Sequence, residues 1–88
     1  MKKNLSDNII LITGASSGIG RGIARTLCHN GYKLILTSRS IEKLNQLKDE
    51  LSDFSEKIHL IACDLTNSDD IENLYKKTLE IGFVECII

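Results

Sequence analysis

Apolar positions along this chain alternate between short unbroken runs and longer stripes. Ile9 to Ile12 is a continuous apolar run after a polar start. Leu34 to Leu36 and Ile58 to Cys63 are two more, and Phe83 to Ile88 begins a fourth. Between these runs, apolar residues recur at helical spacing. Ile19, Ile23 and Leu27 stand four apart, on one face of a helix over residues 18 to 30. Ile41, Leu44, Leu47, Leu51 and Phe54 form a second stripe, with Glu42, Lys43, Lys48, Asp49 and Glu50 on its wet side. Ile71, Leu74, Tyr75, Thr78 and Leu79 form a third. The ends carry matching signals. Gly31 suits the left-handed position just past a helix. Ser40 can cap the second helix, and Asn67 or Ser68 the third. Asp69 and Asp70 suit that helix's positive end, and Gly82 breaks its pattern.

The predicted order is β-α-β-α-β-α-β, an α/β chain. Strands that are apolar throughout are expected where both sheet faces are covered, as in parallel sheets. Right-handed crossovers then make a half-Rossmann sheet of order 3-2-1-4 the simplest arrangement. They put the first two helices on one face and the third on the other. The fourth strand would show an unpaired outer edge beside thinly covered apolar surface. Such an edge invites strand addition, so instability or self-association is expected of the isolated chain.

Length and composition narrow the function. The 88 residues hold one domain at most, with no internal repeat or linker. A net charge of -1 argues against a nucleic-acid-binding basic face, and 5% aromatic content argues against a base-stacking surface. The start "MKKNLSDNIILITG" is basic, but its apolar part is too short for an export signal or a membrane span. Cys28, Cys63 and Cys86 are odd in number and widely spaced, without metal-ligand spacing. Cys28 and Cys63 read as small core residues, and the lack of a disulfide framework points to the cytoplasm.

The chemistry concentrates where the first strand meets the first helix. There the sequence reads Thr13-Gly14-Ala15-Ser16-Ser17-Gly18-Ile19-Gly20. Free N–H groups at a helix start, with the helix dipole, attract anions. Gly14 would permit a tight turn, Gly18 a close backbone approach to a pyrophosphate, and Gly20 close helix packing. No Lys follows a glycine at the spacing of a P-loop. The common G-x-G-x-x-G fingerprint also fails, because Ile23 stands where its third glycine belongs. The spacing present, T-G-x-x-x-G-x-G, closely resembles the cofactor turn of the short-chain dehydrogenase/reductase family.

That resemblance implies a partial NAD(P)-binding domain over residues 1–88. Backbone N–H groups near Ser17, Gly18 and Ile19 would face the phosphates, and the hydroxyls of Ser16 and Ser17 would add donors. Arg21 could help through water, or simply be a solvated charge. At the end of the second strand, in "LTSRS", dinucleotide folds that use NAD place an acid on the ribose. This chain has Ser38 and then Arg39, which can grip a 2′-phosphate bidentately. NADP-preferring members of the family likewise carry a small residue followed by Arg, so NADP is expected over NAD. The third strand ends in "CDLT", where the family has D-[LV]-[ST]. Carried over, Asp64 accepts from the adenine amine and the Leu65 backbone meets the ring. Alone, an Asp there is a turn former.

The family's catalytic Tyr-x-x-x-Lys has no counterpart here. Tyr32 is followed four later by Leu36, and Tyr75 by Leu79. His29 and His59 have no carboxylate or nucleophile at telling spacing. The family's "NNAG" follows the fourth strand, and the sequence stops at Ile88. The resemblance thus covers the family's cofactor-binding portion, truncated before its catalytic half. No catalytic or metal residue is assigned. The expected function is the cofactor-binding fragment of an NADP(H)-dependent oxidoreductase, with the substrate unspecified. Two alternatives remain: a non-catalytic NADP(H)-binding module, and an interaction protein. The latter would dock its fourth strand on a separate C-terminal half or a homologous chain.

Overall fold

A computed structural model describes residues 9–88; the basic start at residues 1–8 lies outside the described residues. The elements are β1 (Ile9–Ile12), α1 (Gly18–His29), β2 (Lys33–Ser38), α2 (Ile41–Glu50), a 3-10 helix (Ser52–Lys57), β3 (Ile58–Ala62), α3 (Ser68–Ile81) and β4 (Val84–Ile87). All strand pairs are parallel, and the sheet order is β3-β2-β1-β4, as the crossover argument predicts.

The helix ends are built from the signals read in sequence. The Ser40 hydroxyl accepts the N–H of Lys43, and Asn67 Oδ1 accepts those of Asp69 and Asp70. Past α1, the N–H of Gly31 donates to Cys28 and that of Tyr32 to Leu27. This closing pair needs a left-handed residue, and Gly31 has φ 86°.

The sheet buries two unequal clusters. On one face Ala24 and Cys28 of α1 and Leu44 and Leu47 of α2 pack on Ile10, Ile12, Leu34, Leu36 and Ile58. On the other, Leu74 of α3 packs with Ile9, Leu11, Ile35, Ile61 and Cys63.

Three expectations are corrected. The fully buried residues of α1 are Gly20, Ala24 and Cys28; of the expected stripe Ile23 and Leu27 pack half-buried against the core, while Ile19 is 82% exposed. Small side chains face the sheet because this helix lies close to the turn and strands. Second, α2 ends at Glu50, and the chain tightens into a 3-10 turn that carries Phe54. The stripe is therefore shared between two elements. Third, of the α3 stripe only Leu74 is buried; Ile71, Tyr75 and Leu79 remain open to solvent. Among the described residues a single helix covers this face.

Candidate cofactor site

The C-terminal ends of the strands are knitted together around the glycine turn. The N–H of Ala15 donates to the Thr37 carbonyl at 3.1 Å, and that of Cys63 to Ser38 at 2.9 Å. On the other side, the N–H and the hydroxyl of Thr13 both donate to the Ile88 carbonyl. The turn sits where the order of strands reverses, between β1 and its two neighbours β2 and β4. Open α/β sheets offer a ligand crevice at that point.

Within the turn each glycine has a separate physical reason. Gly14 has φ 59°, a conformation that side chains disfavour. A Cβ on Gly20 would lie 2.4 Å from the Gly14 carbonyl oxygen, so the helix could not approach the turn. A Cβ on Gly18 would meet nothing within 4 Å. No protein atom demands a glycine at that position, and the space above it is open to a ligand.

The Ser17 N–H and hydroxyl both donate back to the Gly14 carbonyl. In this structure these two groups, expected to face a phosphate, close the turn. The first intrahelical bond runs from Arg21 to Ser17. The N–H groups of Gly18, Ile19 and Gly20 carry no hydrogen bond within the described residues. Bare amides at the positive end of a 12-residue helix can hold an anion.

Beside the turn lies an open cavity of about 420 Å³. It brings together Gly14, Ser16, Ser38, Arg39, Asp64 and Leu65, residues from three separate strand ends. Ser17, Gly18, Ile19 and Gly20 are not on its wall; they form the neighbouring helix start. Ser16 Oγ and Ser38 Oγ are 2.7 Å apart, and Ser38 Oγ also accepts the N–H of Ser40. The Ser16 hydroxyl is thus engaged, and it ties the glycine turn to the loop after β2.

Asp64 has two functions to divide between its oxygens. Oδ1 accepts from the N–H and the hydroxyl of Thr66, which builds the turn after β3. These bonds, with a smaller contribution from Arg39, hold its carboxyl below the usual carboxylate range. The turn-former reading therefore holds for Oδ1, while the side chain still borders the cavity.

Arg21 is committed elsewhere. It pairs with Glu50 at the end of α2, and Arg25 Nη2 lies 2.6 Å from the same carboxylate. Arg39 is exposed on the cavity wall and forms no ion pair among the described residues.

Sequence reading missed five wall residues: Thr37, Ser40, Lys43, Cys63 and Thr66. Thr37 is 1% exposed and its Oγ1 has no hydrogen-bond partner. An orphaned buried hydroxyl beside a cavity fits a site completed by a ligand. Lys43 and Thr66 also border the space. The capping motif around Ser40 places Lys43 in the first turn of α2, a signal that the sequence did contain.

Of the remaining titratable groups, Cys63 borders the cavity, and His59 and Cys28 are not on its wall. Burial, with Lys33 and Lys48 nearby, pushes the His59 pKa down, and its Nε2 is buried without a partner. Burial raises the Cys28 thiol to about 11, so it is an inert core group at neutral pH. Cys28 and Cys63 are buried and unpaired, as small core residues would be. Among the described residues no cluster of His, Cys, Asp or Glu could hold a metal. No described helix is long and apolar enough to cross a membrane.

Comparison with known proteins agrees with this geometry. Residues 8–88 match the family model for short chain dehydrogenase. An uncharacterized oxidoreductase of Staphylococcus haemolyticus is 35% identical over 85 residues, covering 96% of this chain and 36% of that protein. Among solved structures, an alcohol dehydrogenase from Thermococcus sibiricus complexed with 5-hydroxy-NADP is 35% identical with a TM-score of 0.83. That match covers 91% of this chain and 35% of the other. A 3-ketoacyl-(acyl-carrier-protein) reductase from Brucella melitensis complexed with NADH is 25% identical, also with a TM-score of 0.83. It covers 96% of this chain and 34% of that one. The chain thus spans just over a third of the length of the relatives it matches.

Proposed function

This chain belongs to the short-chain dehydrogenase family, and from that premise we propose that it forms the NADP(H)-binding portion of a cytoplasmic oxidoreductase. The observation that carries the proposal is a pair of adjacent features. Three bare N–H groups open α1, and the cavity beside them carries Arg39 without an acid at the end of β2. The amides of Gly18, Ile19 and Gly20 would bind the pyrophosphate. Ser38 and Arg39 would receive the ribose and its 2′-phosphate. Asp64 and the Leu65 backbone would border the adenine, using the carboxylate edge not committed to Thr66.

A bound nicotinamide supplies the hydride acceptor or donor for a carbonyl or alcohol substrate. The residues of this chain hold and orient the dinucleotide. No proton-transfer group or substrate pocket is proposed among these residues. Thr37, with its orphaned hydroxyl, supports a cavity that is completed on ligand binding.

The two solved relatives described above carry an NADP derivative and NADH respectively, so both nucleotides occur on this fold. Arg39 is the reason to favour NADP(H) here. A charge-assisted hydrogen bond is worth about 1.5–3 kcal/mol, which corresponds to roughly tenfold or more in affinity. Titration of NADPH and NADH into wild type and Arg39→Ala tests the choice. The variant is expected to lose about tenfold in NADPH affinity and little for NADH. Equal discrimination in both proteins would remove Arg39 from the account.

A second reading is favoured by a different observation. Leu11, Leu74, Tyr75, Leu79, Val84 and Ile87 line an apolar groove of about 380 Å³ along β4. Among the described residues β4 pairs only with β1. In this reading the chain docks through that edge onto a separate C-terminal half or a homologous chain. It predicts concentration-dependent association that is indifferent to cofactor.

A further inference from the structure

We infer that Lys43 is a second specificity-determining cation of this cavity. It would act with Arg39 on the phosphate that distinguishes NADP(H) from NAD(H). The inference rests on the cofactor reading above and extends it to a residue that neither the turn motif nor the strand-end motif contains.

Three observations carry it. The first is position. Ser40 caps α2 by accepting the N–H of Lys43 at 3.2 Å, which fixes Lys43 as the third helical residue. Arg39 and Lys43 therefore flank one cap, and both border the cavity.

The second is a local conflict. A Ser cap is normally completed by Glu or Gln three residues later, which reaches back to the cap's own N–H. The sequence here is Ser40-Ile41-Glu42-Lys43. Here Ser38 Oγ accepts the Ser40 N–H instead, and a lysine at that position puts a cation at the positive end of the helix dipole. Local rules broken without a local gain mark a functional position.

The third is charge pairing. Arg21 and Arg25 share Glu50, and Lys76 pairs with Glu72 on α3. Arg39 and Lys43 make no ion pair among the described residues. The same cavity is bordered by Ser16, Ser38 and Ser40 and by Asp64, whose Oδ1 is held by Thr66 and whose carboxyl also feels the Arg39 charge. Glu42 is adjacent in sequence but is not on the cavity wall. Two unpaired cations over neutral hydroxyls suit a phosphomonoester on a nucleoside and give no advantage to a plain ribose diol.

The test measures NADPH and NADH affinities and the melting temperature of the 88-residue chain as wild type, Lys43→Gln, Lys43→Arg and Arg39→Ala. Lys43→Gln is expected to weaken NADPH binding about three- to tenfold and to leave NADH within about twofold. Its melting temperature should hold or rise, because the change removes a cation from the positive end of α2 and breaks no ion pair. Lys43→Arg should keep the NADPH preference. Unchanged NADPH affinity in Lys43→Gln, or equal losses for both nucleotides, would overturn the inference. If Arg39→Ala alone shifts NADPH, Lys43 is a surface charge and the cofactor reading survives. If wild type binds neither nucleotide, both fall together.

Discussion

The two faces of the sheet use the same helical periodicity with opposite results. On the α1/α2 face, Leu44 and Leu47 project from a regular stripe and are completely buried. On the α3 face, Tyr75 and Leu79 project from an equally regular stripe and are 64% and 61% exposed. Two helices cover the first face and one covers the second. An amphipathic stripe records which side of a helix is apolar. Whether that side is buried depends on the neighbours the topology supplies.

The difference should be largest in stability. Leu44→Ala removes a side chain from a filled core and should cost about 2–5 kcal/mol, a large share of the total for a domain of this size. Leu79→Lys removes none of that packing and should change urea-unfolding stability by about 0.5 kcal/mol or less. It should also reduce any self-association seen by size-exclusion chromatography, since it places a charge in the groove beside β4. Equal destabilisation by the two variants would mean that the α3 face is packed in solution.

The glycine turn allows the same contrast on a smaller scale. Gly20→Ala drives a methyl group into the Gly14 carbonyl and should destabilise the fold by about 1–3 kcal/mol. Gly18→Ala meets no protein atom, so it should leave stability nearly unchanged while lowering dinucleotide affinity. Loss of stability in both would make Gly18 a structural glycine. Loss of binding in neither would detach the turn from the ligand.

Much of the fold was legible in the residues themselves. The parallel order 3-2-1-4 followed from four apolar runs, three stripes and the handedness of crossovers. Ser40, Asn67 and Gly31 mark helix ends because capping is local chemistry, decided within a few residues. The buried face of α1 was legible only in part, through Ile23 and Leu27, which border the core. Gly20, Ala24 and Cys28 are small, and close packing selects them for that reason, whereas hydrophobicity points to Ile19. The break after Glu50 was missed because Leu51 and Phe54 continue the apolar spacing through a tighter turn.

The site divides along the same line. Gly14, Ser38, Arg39 and Asp64 stand at strand ends, where a motif can be read directly. The bond of Ser16 could not be read, because it depends on Ser38, which the fold brings near; that of Ser17 to Gly14 is local and depends on the conformation of the turn. Thr37 joins the wall only through tertiary placement, whereas the Ser40 cap already placed Lys43 beside the loop after β2.

The most direct test is the amide proton–nitrogen NMR spectrum of the folded chain during titration with NADPH. Large shifts at Gly18, Ile19 and Gly20, with smaller ones at Arg39 and Lys43, and little change along α3, are the predicted result. Saturating NADPH and NADH that leave the three amides opening α1 unmoved would contradict the account.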